Sequence, residues 1–122
     1  VAKIARLRFP DSAVPDSLRE NFSRMSEVCV AMIQLANQSL KDRDAVAALR
    51  MAEIDHEMDH LRRDHFGVLL GKNWSGSVEQ AIDVALLGRY FERFADHAVA
   101  VARRVIYIIT GQFPEGEEWP NA

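Results

Sequence analysis

Two pairs of carboxylates share one spacing: Asp55 and Asp59 stand four residues apart, as do Glu92 and Asp96. On a helix, residues four apart lie on one face, so each pair presents two carboxylates side by side. Four such groups brought together repel one another unless a cation lies among them, and all-oxygen ligation suits magnesium, manganese or iron better than a dedicated zinc cage. The same acids also have arginines at helical spacing: Asp59 near Arg62 and Arg63, Glu92 near Arg89, Asp96 near Arg93. Ordinary surface ion pairs therefore compete with the metal reading.

A second motif overlaps the first pair. His56-Glu57-Met58-Asp59-His60 satisfies H-E-x-x-H, the two imidazoles and glutamate base of zinc peptidases. A working site needs a third protein ligand, and the extended pattern fails, with Arg63 where Gly is required and Phe66 where the last His belongs. Glu79 is the one plausible downstream carboxylate and lies past a turn. Such peptidases also hold substrate beside an edge strand, and no strand pattern exists here. The peptidase is the weaker alternative. His56 and His60 are expected to face solvent and His65 to be a hydrogen-bonded core histidine; His97, next to Asp96, is a candidate extra nitrogen ligand, although neighbouring residues on a helix point apart. No Ser-His-Asp or Cys-His arrangement and no Gly-rich loop after a strand supports nucleophilic catalysis or nucleotide binding.

The elements that position these residues follow from apolar periodicity. Val1 to Arg8 reads as the last turns of a helix, and Phe9 to Pro15, with two prolines, as a linker. Leu18, Phe22, Met25, Cys29, Met32 and Ala36 recur at steps of four and three, predicting a first long helix over 15–40 with Pro15 at its first position. Asp42 and Asp44 offer caps for a second helix whose stripe is Ala47, Met51, Ile54, Met58, Leu61 and Val68, ending near Gly71. Ser77 with Gln80 resembles a capping box, opening a third helix with the stripe Val84, Leu87, Phe91, Phe94, Ala95, Ala98, Ala102, Val105 and Ile109. Gly111 closes it.

The expected fold is all-α: an up-down-up three-helix bundle over 14–112, preceded by the helical stub and linker of 1–13 and followed by a tail, 113–122. Both carboxylate pairs sit about 100° to 140° from the centre of their own stripe, turned in the same sense, so antiparallel neighbours can bring them to one outer groove. Val28 to Leu35 and Val99 to Ile109 are apolar on more than one face, which marks a wide core contact or a further partner.

Composition narrows the function. The 122 residues carry a net charge of −3, with fifteen Lys and Arg set against eighteen acids, so no basic footprint for nucleic acid exists. The single cysteine, Cys29, lies in an apolar run and is expected to behave as a small buried hydrophobe. No run of about 18 apolar residues is present to cross a bilayer. Trp74 in a loop and Trp119 in the tail are candidate partner anchors, although loop tryptophans often fold back on their own domain.

The run from Leu87 to Ala98, with Arg89-Tyr90, Glu92-Arg93 and Asp96-His97-Ala98, continuing through Val105-Ile106-Tyr107 to Thr110-Gly111, resembles the signature third helix of PhoU proteins. Asp55 and Asp59 match the family's second acidic motif, and helix order agrees from about Val14 to Gly111. The resemblance implies a cytoplasmic protein built from two successive three-helix repeats, of which this would be the second, with Val1 to Arg8 as the end of the first. It implies negative control of the phosphate-starvation response through a sensor histidine kinase and the ATPase of the phosphate ABC transporter. It also implies iron or zinc clusters, with a ligand role for Asp55, Asp59, Glu92 and Asp96. The expectation is a regulator and homo-oligomer, not an enzyme, with no nucleic-acid partner and no direct membrane insertion.

Overall fold

A computed structural model describes residues 1–114 of the chain. A short helix α1 (Ala2–Arg8) is followed by a linker, a single 3-10 turn (Asp16–Leu18) and three long helices, α2 (Arg19–Asp42), α3 (Ala45–Leu70) and α4 (Val78–Thr110). Each long helix packs against the other two. No strand occurs among the described residues.

The boundaries have local causes. Pro15 does not open α2. Its extended backbone caps the 3-10 turn, and α2 proper begins four residues later, at Arg19. At the other end of α2, Arg43 adopts the left-handed conformation with φ 51°, and Asp44 then caps α3 by accepting a hydrogen bond from the Ala47 N–H at 3.0 Å. Asp42, the other candidate cap, is the last residue of α2 instead. Ser77 and Gln80 form the reciprocal capping box at the start of α4, and Gly111 ends it at φ 74°, a conformation that costs glycine nothing.

Direction follows from cross-helix contacts. Asn21 Nδ2 donates to the Leu61 carbonyl at 2.9 Å and Arg24 pairs with Glu57 at 2.5 Å, so α2 and α3 run antiparallel. Arg62 with Glu92, and His65 against Gly88, set α3 and α4 antiparallel as well.

The four methionines sit at the centre. Met25, Met32, Met51 and Met58 are all at most 1% exposed, and they meet Leu18, Phe22, Val84, Leu87 and the small residues Ala95, Ala98 and Ala102 of α4. Complete burial of each such methionine contributes on the order of 2 kcal/mol relative to exposure. Three assignments to the core are corrected. Phe94, Ile109 and Val68 are 43%, 38% and 38% exposed, because the alanine side of α4 and His65 on α3 take the inward positions next to them. Trp74 does fold back, half-buried against the core, whereas Trp119 lies outside the described residues.

The stub is attached to the bundle. Ile4 and Ala13 are buried, and Arg8 reaches α4, where Nε donates to Asp83 Oδ2 at 2.6 Å and Nη2 to Asp83 Oδ1 at 3.2 Å, with Glu79 at 2.9 Å from Nη1. This two-point geometry is what guanidinium and carboxylate planes favour. No described helix is long and apolar enough to cross a membrane.

Candidate functional site: an acidic seam between α3 and α4

The antiparallel register of α3 and α4 decides what the four carboxylates form. Glu92 lies level with Arg62, and Asp59, one turn back along α3, lies level with Asp96. Asp55, another turn further, is half-buried and stands away from Glu92. Asp59, Glu92 and Asp96 thus lie along one groove between α3 and α4, with Asp55 one turn of α3 beyond Asp59.

Glu92 is the best-defined member. Its carboxylate pairs with Arg62 across the groove and with Arg89 on its own helix at 2.8 Å. The sequence paired Arg89 with Glu92 as observed, but placed Arg62 with Asp59 on the same helix. Arg62 instead bridges two helices, with its guanidinium 5.5 Å from the centre of the Phe66 ring. Both partners are largely withdrawn from solvent, at 24% and 19% side-chain exposure, so this is a helix-to-helix tie and more than a rim contact.

Asp96 is the member whose environment is most perturbed. Burial first and the Glu92 charge second hold its carboxyl above the ordinary value; Arg89 opposes the rise, Asp59 adds to it from across the groove, and His97 opposes it. Glu92 on the same helix and Asp59 across the groove are therefore both close enough to act on Asp96.

Do these residues fit a metal centre? Among the described residues, no three or more His, Cys, Asp or Glu side chains are gathered closely enough to hold an ion. Glu92 is already neutralised by two guanidinium groups. The donor chemistry suits a hard cation, but the arrangement is not a preformed cage.

The peptidase arrangement is not assembled. Glu57, its would-be base, is held by Arg24 of α2 at 2.5 Å, and Glu79, the candidate third ligand, is engaged by Arg8. His56 and His60 are exposed, as expected, and His97 is exposed as well.

His65 departs from expectation. It is fully buried as predicted, yet neither ring nitrogen has a hydrogen-bond partner among the described residues. Its ring stacks on Phe22 with centroids 5.6 Å apart and tilts against Phe66 at 4.9 Å. Gly88 makes room for it, since a Cβ built there would overlap the imidazole. Burial, and then the Arg62 charge, lower its affinity for a proton below the ordinary value. The ring acts as a flat aromatic spacer between α2, α3 and α4.

Cys29 is buried as expected; burial pushes its thiol up to about 11, and its Sγ lies 3.8 Å from the Phe91 carbonyl. The contact that sequence reasoning missed is Arg8 with Asp83. An aspartate beside Val84 on the buried side of α4 was its one signal, because a carboxylate there needs a cation.

A three-helix bundle whose interior is closed by methionines and alanines, with acidic side chains lined up in the groove between α3 and α4, defines a helical scaffold presenting surfaces. The model of the PhoU domain matches residues 22–105, the stretch that builds α2, α3 and α4. The chain belongs to the PhoU family. It is 43% identical over its whole length to phosphate-specific transport system accessory protein PhoU homolog 1 of Mycobacterium leprae, covering 55% of that protein. It is 46% identical over 93% of its length to PhoU homolog 2 of Mycobacterium tuberculosis, covering 54%. A PhoU homolog of Zymomonas mobilis is 33% identical over 75% of the chain, covering 40% of that relative. The chain thus spans about half the length of the first curated relatives it matches. No solved structure matches it.

Proposed function

We propose that this chain is the docking part of a regulatory accessory protein of phosphate uptake, acting in the cytoplasm as a negative regulator of the phosphate-starvation response and catalysing no reaction. The observation that carries the reading is the coincidence of the PhoU match, 22–105, with the three helices of the bundle, two of which, α3 and α4, carry the acidic seam. The names of the relatives, phosphate-specific transport system accessory proteins, supply the system served.

The partners in this reading are a sensor histidine kinase and the ATPase of the phosphate ABC transporter. Two features suit docking. The seam offers Asp59 and Asp96 to a basic partner surface, and the outer faces of α2 and α4 expose Val30, Ile33, Tyr107 and Ile108 at 46–63%. The same apolar strips suit a homo-oligomer. The test is a binding measurement between the full-length protein and the purified transporter ATPase or the cytoplasmic part of the kinase, with Asp59→Asn/Asp96→Asn as the variant. Binding weakened at least about tenfold by the variant supports the seam as a contact; unchanged binding removes the seam from the docking surface, and no binding to either partner overturns the reading.

A second reading makes the seam a metal site, with Asp55, Asp59, Glu92 and Asp96 as ligands to iron, zinc, manganese or magnesium. Its support is the effect of Glu92 and Asp59, from two helices, on the Asp96 carboxyl. A bound cation would supply charge neutralisation there, and Glu92 would first have to leave Arg62 and Arg89. Metal content after dialysis, compared between the wild type and a variant with all four carboxylates changed to their amides, tests it. Retention by the wild type alone is the expected result, and equal content in both overturns it.

A further inference from the structure

The H-E-x-x-H segment is not assembled as a peptidase centre, since Arg24 holds Glu57 and Arg8 holds Glu79, but its two imidazoles are not thereby idle. α3 runs unbroken from Ala45 to Leu70, so His56 and His60, four residues apart, lie one above the other on a single face. Both are exposed, and neither makes a hydrogen bond, ion pair or ring contact among the described residues. Glu57, between them, is turned to α2 and held by Arg24. Glu53 and Asp64, three residues before and four after the pair, share the outward face and are exposed. Their charges favour a cation there, and the neighbouring Arg63 opposes them.

We propose that His56 and His60 form a bidentate surface site for a divalent transition metal of the copper and zinc class, distinct from the acidic seam. Imidazole nitrogens select copper and zinc over magnesium or manganese, and a helical i, i+4 pair presents two of them in one chelate. With two protein ligands, water fills the remaining positions, so the site is open. Asp59 is the seam member next to the His face on α3, but the ligand chemistry differs: nitrogen outside, oxygen within. The inference does not depend on the regulatory reading, since it rests on α3 alone.

The test is Cu²⁺ and Zn²⁺ titration of the chain in competition with a chromophoric chelator, with electron paramagnetic resonance of the Cu²⁺ form to count nitrogen ligands. Three variants accompany the wild type: His60→Ala, His56→Ala/His60→Ala, and Asp59→Asn/Glu92→Gln/Asp96→Asn. Alanine is a strong helix former at these exposed positions, and circular dichroism verifies that each variant stays helical. The wild type should bind one equivalent with a two-nitrogen signature. The single variant should lose at least about tenfold in affinity and one nitrogen, the double variant should lose the site, and the seam variant should keep both affinity and signature. The site is refuted by affinity in the double variant equal to wild type, by absence of nitrogen coupling, or by loss of binding in the seam variant with both histidines intact.

Discussion

Arg8 and Asp83 lie 75 residues apart in the chain and are joined by a two-point ion pair, with the aspartate side chain only 8% exposed. It is the polar tie between the stub and the bundle, and it closes the fold near the capping box of α4.

Breaking that tie from the arginine side leaves a buried carboxylate without its counter-ion. Arg8→Met should therefore lower the urea midpoint and release α1, seen as faster proteolysis between Arg8 and Val14. Asp83→Asn, which removes the charge from the buried position, should be the milder change. Equal midpoints for wild type and Arg8→Met would show that Asp83 is neutralised by other means.

His65 sets a pH dependence. The folded state binds its proton less readily than the unfolded state, whose imidazole keeps the ordinary value near 6.5. As pH falls through about 6.5, the unfolded state takes up a proton that the folded state refuses, so this contribution to stability is complete above that pH and is lost below it. His65→Leu should flatten the difference in urea midpoint between pH 7.5 and pH 5.5. Gly88→Ala, which pushes a methyl group against the ring, should cost about 1–3 kcal/mol at either pH.

Glu92 joins α3 to α4 and also acts on Asp96. Glu92→Gln removes the partner of the half-buried Arg62 and should destabilise the bundle by about 1–2 kcal/mol in chemical unfolding. It also removes a negative neighbour of Asp96, so the Asp96 carboxyl should titrate at lower pH than in the wild type, read by carboxyl-carbon NMR. An unmoved Asp96 titration would mean that burial and Asp59 raise it without Glu92.

Arg43 holds a left-handed conformation that suits glycine. Arg43→Gly should raise stability by about 0.5–1 kcal/mol, because the strain is relieved at the only two-residue junction between long helices. A destabilised variant would show that the arginine side chain contributes more than its backbone costs.

The bundle was legible because its signals are local. Ser77 with Gln80, Gly111 and the methionine spacing each report on a few neighbouring residues, and each appeared as expected. Phe94 and Ile109 were misplaced because the stripe on a 33-residue helix is wide enough for either side to be drawn inward, and only packing against α2 and α3 selects the alanines. The same limit applies to charge. Arg89 with Glu92 follows from spacing on one helix, whereas Arg62 with Glu92 and Arg8 with Asp83 are chosen by tertiary register. Helical spacing of the four carboxylates gave a shared groove; it could not show that two arginines already occupy Glu92.

The central claim is regulation of phosphate uptake by a protein carrying this domain. Its most direct test is transcription of the phosphate-transporter genes in phosphate-replete cells of the source organism with the gene deleted and then restored. Negative control predicts that deletion raises transcription and that the restored full-length gene returns it to the wild-type level. Transcription unchanged by deletion would contradict it.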